Sequence, residues 1–420
     1  MAKTVLKKEV KSEIKAIKKA DIVIGIPSFN NAKTIAHVVQ AVSAGLAKYF
    51  SNYNCILVNS DGGSTDGTAD LVKKTSLEDF KTLLIEHQVP SLHKIITPYS
   101  GIPGKGSAFR TIFEIASLLE AKACAVVDSD LRSIAPEWIE LLIEPVLYHD
   151  FDFVAPLYQR HKYDGTITNS IIYPLTRALY GKRIRQPIGG EFGFSGKVAS
   201  FFLSQRKVFD TDVARYGIDI WMTTTAVAEG FKVCQSFLGA KIHDPKDPSA
   251  DLASMLSQVT GSVFFLMEKY HDRWSKISGS EPVAEFGFKF EVGLEPARIN
   301  LERMVDGFKQ GVSDLTTVWK KILNDDTIRE LNNLSSLNVL EFRFPLELWV
   351  KIIYDFALAY HRKVMVREHI LKSLTPLYLG RVACFVNETF ESSALQIEEK
   401  IEQLCLEFEK QKSYLLTNWK

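Results

Sequence analysis

Five cysteines are all that 420 residues contain, and they stand apart, at Cys55, Cys124, Cys234, Cys384 and Cys405. Odd in number and without CxxC spacing, they form no readable disulfide framework, so unpaired thiols in a reducing compartment, the cytoplasm, are expected. An excess of charge of either sign is missing as well. Lys plus Arg total 51 against 50 Asp plus Glu, a net charge of +1. No global field therefore gathers nucleic acid or an anionic membrane, and an anion would need a local site. No apolar run reaches the ~18 residues that indicate a membrane span. The opening MAKTVLKKEVKSEIKAIKKAD carries lysines throughout and lacks the apolar core of a signal peptide. Residues 1–20 are expected to form a basic helix, packed on the first strand or, alternatively, resting on a membrane surface. Fixed-period repeats and low-complexity stretches are absent too.

What remains is an ordinary globular composition, 46% hydrophobic and 24% charged, in a chain long enough for two domains. From Asp21 to about Leu238, short β-branched runs alternate with helical periods. DIVIGIP, NCILVNS, HKIITPY and KACAVVD read as strands, each followed by a helical stretch, and FDFVAPLYQ and FKVCQSFLG as two more. Such alternation predicts an α/β layer fold with a mostly parallel sheet, whose ligands bind at the carboxyl ends of the strands. Beyond the turn AKIHDPKDPSAD the periods become long and helical. The expected division is residues 1–20 as the basic helix, 21–250 as the α/β domain and 251–420 as a mainly helical domain. The long apolar stripe of that last part serves burial within the chain or a homo-oligomer interface equally well.

Several segments at predicted strand ends could carry chemistry. NSDGGSTDGT (59–68) can present the Asp61 carboxylate and backbone amides to a nucleoside, or be a plain strand-to-helix turn capped by Thr65 or Asp66. In SGIPGKGSAF (100–109), Gly104 and Gly106 permit close backbone approach, a helix N-terminus offers amides and Lys105 adds a charge. Together these suit a diphosphate, although the GxxxxGK[ST] spacing of a P-loop is absent and a solvated loop lysine reads equally well. VVDSDLRS (126–133) ends a strand on Asp128 and Asp130, two hard carboxylates suited to a divalent cation that also takes phosphate oxygens. RQPIGGEFGFSG (185–196) carries Glu191 on a glycine-rich path that can lie close to a sugar ring, or that Glu191 merely caps. YGIDIW offers Asp219, KIHDP offers His243 and YQRHKYDGTIT offers Arg160. Histidine joins carboxylates around a metal, and arginine pairs with carboxylate or phosphate, while surface pairing is the alternative for Arg160 and Asp219.

Taken in order, PGKG (103–106), Asp128-Ser129-Asp130 with PEWI behind it, QPIGGE (186–191) and GID (217–219) resemble the GT-A glycosyltransferases. Within them, QPIGGE downstream of PGKG resembles the retaining mannosylglycerate and glucosyl-3-phosphoglycerate synthases. The match runs from Asp21 to about Asp251, and LELWVKIIYDF looks like the helical extension of mannosylglycerate synthases. The resemblance implies a Rossmann-like, nucleotide-sugar-binding GT-A domain with a mainly helical C-terminal domain. It also implies a nucleoside-diphosphate-sugar donor and a divalent metal, Mg2+ or Mn2+. Asp130 and His243 would hold the metal with Asp128 beside them, reaching the donor's ribose or sugar. Lys105 would contact the donor, Pro27 and Asp61 the nucleoside, and Glu191 with the Ile188-Gly189-Gly190 backbone would floor the transferred sugar. Arg160, Thr168 and Asp219 would hold the acceptor.

The expected reaction moves glucose or mannose, with retention, to D-glycerate or a similar small hydroxy acid. Thr166 stands where relatives that use phosphoglycerate carry arginine, Asp244 where relatives have arginine, and Asn31 where they have an acid. The alternative is a glucosyl-3-phosphoglycerate synthase. An alternative of another class is a membrane-associated inverting transferase acting on a lipid phosphate and anchored by the basic helix.

Overall fold

The structure is a computed structural model that describes residues 4–75, 92–99, 101–242, 248–290 and 299–420. It comprises two compact units, both discontinuous in sequence. The first is Met1–Gln159, Gln186–Lys246 and Val283–Gly293; the second is Arg160–Arg185, Asp247–Pro282 and Leu294–Lys420.

The described strands, in chain order, are β1 (Ile22–Ser28), β2 (Cys55–Asp61), β3 (His93–Pro98), β4 (Ala123–Val126), β5 (Phe153–Gln159), β6 (Lys182–Arg183), β7 (Phe192–Ser195), β8 (Val233–Ala240), β9 (Glu281–Pro282) and β10 (Ala284–Phe286). Eight of them form the sheet of the first unit, in the order β10-β8-β5-β7-β4-β1-β2-β3. All run parallel except β7, which is antiparallel to both neighbours, β4 and β5. β1 is buried at all seven positions, as the continuous apolar run of a central parallel strand requires. Ile22, Ile24 and Ile26 pack with Val38, Val42 and Leu46 of the helix Ile35–Tyr49 and with Ile139 and Leu142 of the helix Glu137–Tyr148. The six strands expected from sequence are present. β7 and β10 were not expected, being short and, in β7, interrupted by glycine.

The reversal of β7 matters for the site. Its register pairs Phe192 with Val126, so the start of β7 lies at the carboxyl end of β4, and Glu191 arrives beside Asp128. Glycine lets this segment lie close to the helix Glu137–Tyr148 and to the chain just before β4. A Cβ at Gly193 would stand 1.9 Å from the Leu142 carbonyl oxygen, and one at Gly196 would stand 1.8 Å from that of Ala121.

The division into units differs from the expected boundaries at 20 and 250 in three places. Residues 160–185 group with the helical unit, where buried Arg177 pairs with Glu402 at 2.5 Å and Glu409 at 2.9 Å on the helix Ala394–Asn418. Residues 283–293 return to the sheet unit through β10, which extends the edge beside β8. The N-terminal segment is no separate domain. Its helix Lys8–Ile17 turns Val10 and Ile14 inward, Leu6 is buried, and the Val5 amide donates to Glu114 at 3.0 Å. A helix that spends its apolar side on its own core has none left to enter lipid. Among the described residues no helix is long and apolar enough to cross a membrane. All five cysteines are free thiols.

Ile14→Ala should lower the unfolding free energy by ~2 kcal/mol or more, read by chemical denaturation. Deleting residues 1–17 should destabilise the protein without changing how much of it pellets with anionic liposomes.

Candidate active site

The helix Lys105–Leu118 begins on the lysine of PGKG. Its flanking glycines, expected to open the backbone to an anion, serve packing between chain segments instead. A Cβ on Gly106 would stand 1.9 Å from the Val213 carbonyl oxygen, and one on Gly104 would stand 2.5 Å from that of Ala214. The start of this helix is thus pressed against the segment that leads into the helix Ile218–Ala228, which carries Asp219 in its first turn. Lys105 Nζ consequently lies 3.1 Å from Asp219 Oδ1 and 2.7 Å from Asp128 Oδ1, and 3.4 Å from the Gly190 carbonyl oxygen.

A second lysine completes the cluster. Lys241 follows β8, and its position is fixed because Arg132 N–H donates to the Ile242 carbonyl at 2.8 Å while Ile242 N–H donates to Ser133 Oγ at 2.9 Å. Lys241 Nζ lies 3.1 Å from Asp128 Oδ2 and 2.9 Å from both Glu191 oxygens, and it donates to the Gly189 carbonyl at 2.7 Å. Glu191 is fully buried. It also accepts from the Tyr158 hydroxyl and, at 3.4 Å, from the Asp128 amide. Burial pushes its carboxyl up to about 7 against the lowering influence of Lys241, and pushes Asp219 up against that of Lys105. Lys105 is itself held protonated by Asp128, Asp219 and Glu191, which together outweigh its desolvation.

The glycine-rich segment between these ions is pinned on both sides. Gln186 Nε2 donates to the Tyr158 carbonyl at 2.9 Å, and the Thr223 hydroxyl donates to the Pro187 carbonyl at 2.8 Å. Gly190 has φ +98°, and a Cβ there would stand 2.5 Å from Asp128 Oδ2 and 2.8 Å from Lys241 Nζ. Gly189 and Gly190 thus lie against the two lysines that hold the acids, through their carbonyl oxygens.

The residues expected to meet a nucleoside, Pro27 and Asp61, sit at the ends of β1 and β2, where Pro27 pairs in register with Ser60. Asp61 accepts from Ser28 Oγ, the Gly63 and Ser64 amides and Ser64 Oγ, at 2.6–2.9 Å. Its carboxylate is thereby the organiser of its own turn. Asn31, standing where relatives have an acid, accepts from Ser129 Oγ at 2.8 Å and the Phe29 amide at 2.9 Å. Thr34 Oγ1 donates to the Ser129 carbonyl at 2.8 Å. The middle residue of the DSD triplet is thus tethered by both its side chain and its backbone. In the 59–68 turn it is Asp66, rather than Thr65, that accepts from the Thr68 amide, at 3.1 Å.

Both Asp128 oxygens face lysine ammonium groups, so this carboxylate has its charge met by protein. Asp130, two residues further and half-buried, offers hard oxygen donors of the kind that Mg2+ and Mn2+ take. Among the described residues no three His, Cys, Asp or Glu side chains form a ready-made cation cage, and His243 and Asp244 lie outside the described residues. The donor chemistry fits a cation held through Asp130, less so one that also grips Asp128. Arg160 and Thr168 belong to the second unit. There Arg160 lies 3.7 Å from Asp164, Thr168 is buried, and the Thr166 hydroxyl shares a 2.5 Å hydrogen bond with that of Tyr378.

Residues 23–211 match the model of glycosyl transferase family 2. This segment is a glycosyltransferase family 2 domain. The mixed eight-stranded sheet of this glycosyltransferase, with the helical C-terminal region, is the GT-A fold. No curated protein matches the sequence. Similar solved structures include glucosyl-3-phosphoglycerate synthase from Mycobacterium tuberculosis. Its complex with Mg2+ and UDP is 20% identical, with TM-score 0.44, covering 62% of this chain and 83% of that one. Its complex with Mn2+, UDP and glucosyl-3-phosphoglycerate is 19% identical, with TM-score 0.43, covering 64% and 86%. Its complex with Mn2+, UDP-glucose and phosphoglyceric acid is 20% identical, with TM-score 0.42, covering 60% and 82%.

Sequence reading singled out none of Lys241, Tyr158, Gln186 and Thr223 as site residues. For Lys241 a signal existed. Asp128, Glu191 and Asp219 were all assigned to one site with a single lysine, and buried carboxylates in that number need further cations. Gly106→Ala should cost ~1–3 kcal/mol by overpacking, read by denaturation. Gly190→Ala should abolish glycosyl transfer, read with labelled donor, because both its φ and its neighbours reject a side chain.

Proposed function

We propose that this glycosyltransferase moves glucose or mannose from a nucleoside diphosphate to the hydroxyl of D-glycerate or a similar small hydroxy acid, with retention of anomeric configuration. The observation that carries the reading is the convergence of Lys105 on Asp128 and Asp219 at the carboxyl ends of the strands, within a family 2 domain that also bears PGKG and QPIGGE.

Lys105 places a positive charge where a leaving diphosphate gains negative charge, and the two aspartates set its position. The Gly189-Gly190 backbone floors the sugar. Glu191, fully buried, supports that floor from beneath rather than touching the sugar. A Mg2+ or Mn2+ ion bound by Asp130 and His243 would offset charge on the departing diphosphate. Asp128, Asp219 and Glu191 each face a lysine, which disfavours any of them as a nucleophile toward the anomeric carbon. Same-face attack assisted by the leaving phosphate is the mechanism that accords with this. The Thr166 hydroxyl, paired with Tyr378 where an arginine would grip phosphate, supports an unphosphorylated acceptor. Unpaired cysteines support a reducing, cytoplasmic setting.

Purified protein should be assayed with UDP- and GDP-linked glucose and mannose, with Mg2+ or Mn2+, and with D-glycerate against 3-phosphoglycerate. NMR of the product should give the anomer of the donor; an inverted product removes the retaining assignment, and turnover only with 3-phosphoglycerate moves the acceptor to the phosphorylated acid. Asp130→Ala should abolish turnover with the fold intact. His243→Ala should raise the Mn2+ concentration for half-maximal rate by roughly 10-fold or more, since even partners behind the ligands cost that much.

A further inference from the structure

The geometry points to Lys241 as the positioning residue of the transfer site, the group that sets Asp128 and the Gly189-Gly190 backbone in register with each other. This rests on the proposed glycosyl transfer and assigns the site a member that the reading of the KIHDP motif for His243 passed over.

One ammonium group holds two chain segments by three residues. Lys241 Nζ reaches Asp128 Oδ2 on the loop after β4 at 3.1 Å, the Gly189 carbonyl at 2.7 Å and both oxygens of Glu191, just before β7, at 2.9 Å. Its side chain is 6% exposed. An ammonium carries three donors, and these partners occupy them on one side of the site. Lys105 reaches Asp128 by the other oxygen, Oδ1, at 2.7 Å and Asp219 at 3.1 Å. The two lysines therefore have different work. Lys105, 16% exposed, is the one turned to substrate, whereas Lys241 acts through Asp128 and the glycine backbone.

Its own anchorage supports that role. The residue after it is bonded in both directions to the Arg132–Ser133 segment, one residue beyond the DSD triplet. Glu191, locked by the Tyr158 hydroxyl and the Asp128 amide, is the fixed point against which Lys241 pulls. The ammonium also comes so near Gly190 that a Cβ there would be 2.8 Å from it. A shift of Lys241 would move the sugar floor and Asp128 together.

The test compares Lys241→Met, Lys241→Arg and the double variant Lys241→Met with Glu191→Gln, in the full-length protein. Each is assayed for kcat and donor KM and for thermal stability, and crystal structures of the wild type and the double variant are superposed. The double variant removes the buried charge pair as a unit, so its thermal stability should return toward the wild type relative to Lys241→Met. Its kcat should stay about 100-fold below wild type, as misplacement near 1 Å costs, with donor KM changed far less. Lys241→Arg, whose planar fork does not reproduce three convergent contacts, should also remain impaired. The superposed structures should show displacement of the Asp128 carboxylate or the Gly189 carbonyl. Recovery of kcat in the double variant would make Lys241 a mere counter-charge and overturn the proposal, as would an unmoved Asp128 and Gly189. A wild-type protein without turnover on any donor and acceptor pair would overturn the proposed transfer reading instead, and the structural comparison would still decide the role of Lys241.

Discussion

Lys105 and Lys241 stand among three carboxylates, Asp128, Asp219 and Glu191, at the sheet's carboxyl edge, and each ion is kept in place by the others. Removing a single charge from water costs several kcal/mol, which neighbouring opposite charges and hydrogen bonds must offset. With three acids to two lysines, the balance is tilted, and burial drives Glu191 and Asp219 toward neutrality. The polarity of β7 is part of the same constraint. A parallel strand in that slot would deliver its first residue to the opposite edge, and Glu191 would then be stranded far from any cation.

Glycine makes this ionic arrangement sterically possible. Gly193 lets β7 lie on the helix Glu137–Tyr148, Gly196 clears the Ala121 carbonyl before β4, Gly106 lets the helix that bears Lys105 lie on the 213–214 backbone, and Gly190 passes between Asp128 and Lys241. Sequence reading took several of these glycines as openings toward a ligand. Most are closures between chain segments, and a pattern of glycines looks the same for both purposes.

The legible part of the fold was the part encoded locally. β1, β2, β4 and the helices between them announce themselves by unbroken apolar runs and helical periods, and the parallel sheet follows from their alternation. The antiparallel β7 was invisible because four residues containing a glycine carry no period. At the site, Lys105, Asp128, Glu191 and Asp219 were read from motifs and do converge. Lys241 was passed over because a lysine at a strand end resembles any surface lysine until the acids around it are counted. Asp61 carries a further feature that residue type alone does not reveal, the local hydrogen bonds by which its carboxylate organises its own turn.

The two units are interleaved along the chain: the sheet unit is left at Gln159, resumed at Gln186, left again after Lys246 and resumed at Val283. No single cut separates them. Residues 160–185 are therefore an internal excursion between β5 and the Glu191 segment, so a gene fragment ending before Glu191 would encode a sheet missing β7, β8 and the second lysine. Keeping the sheet unit while dropping the whole helical unit would mean excising three separate stretches of chain, Arg160–Arg185, Asp247–Pro282 and Leu294–Lys420.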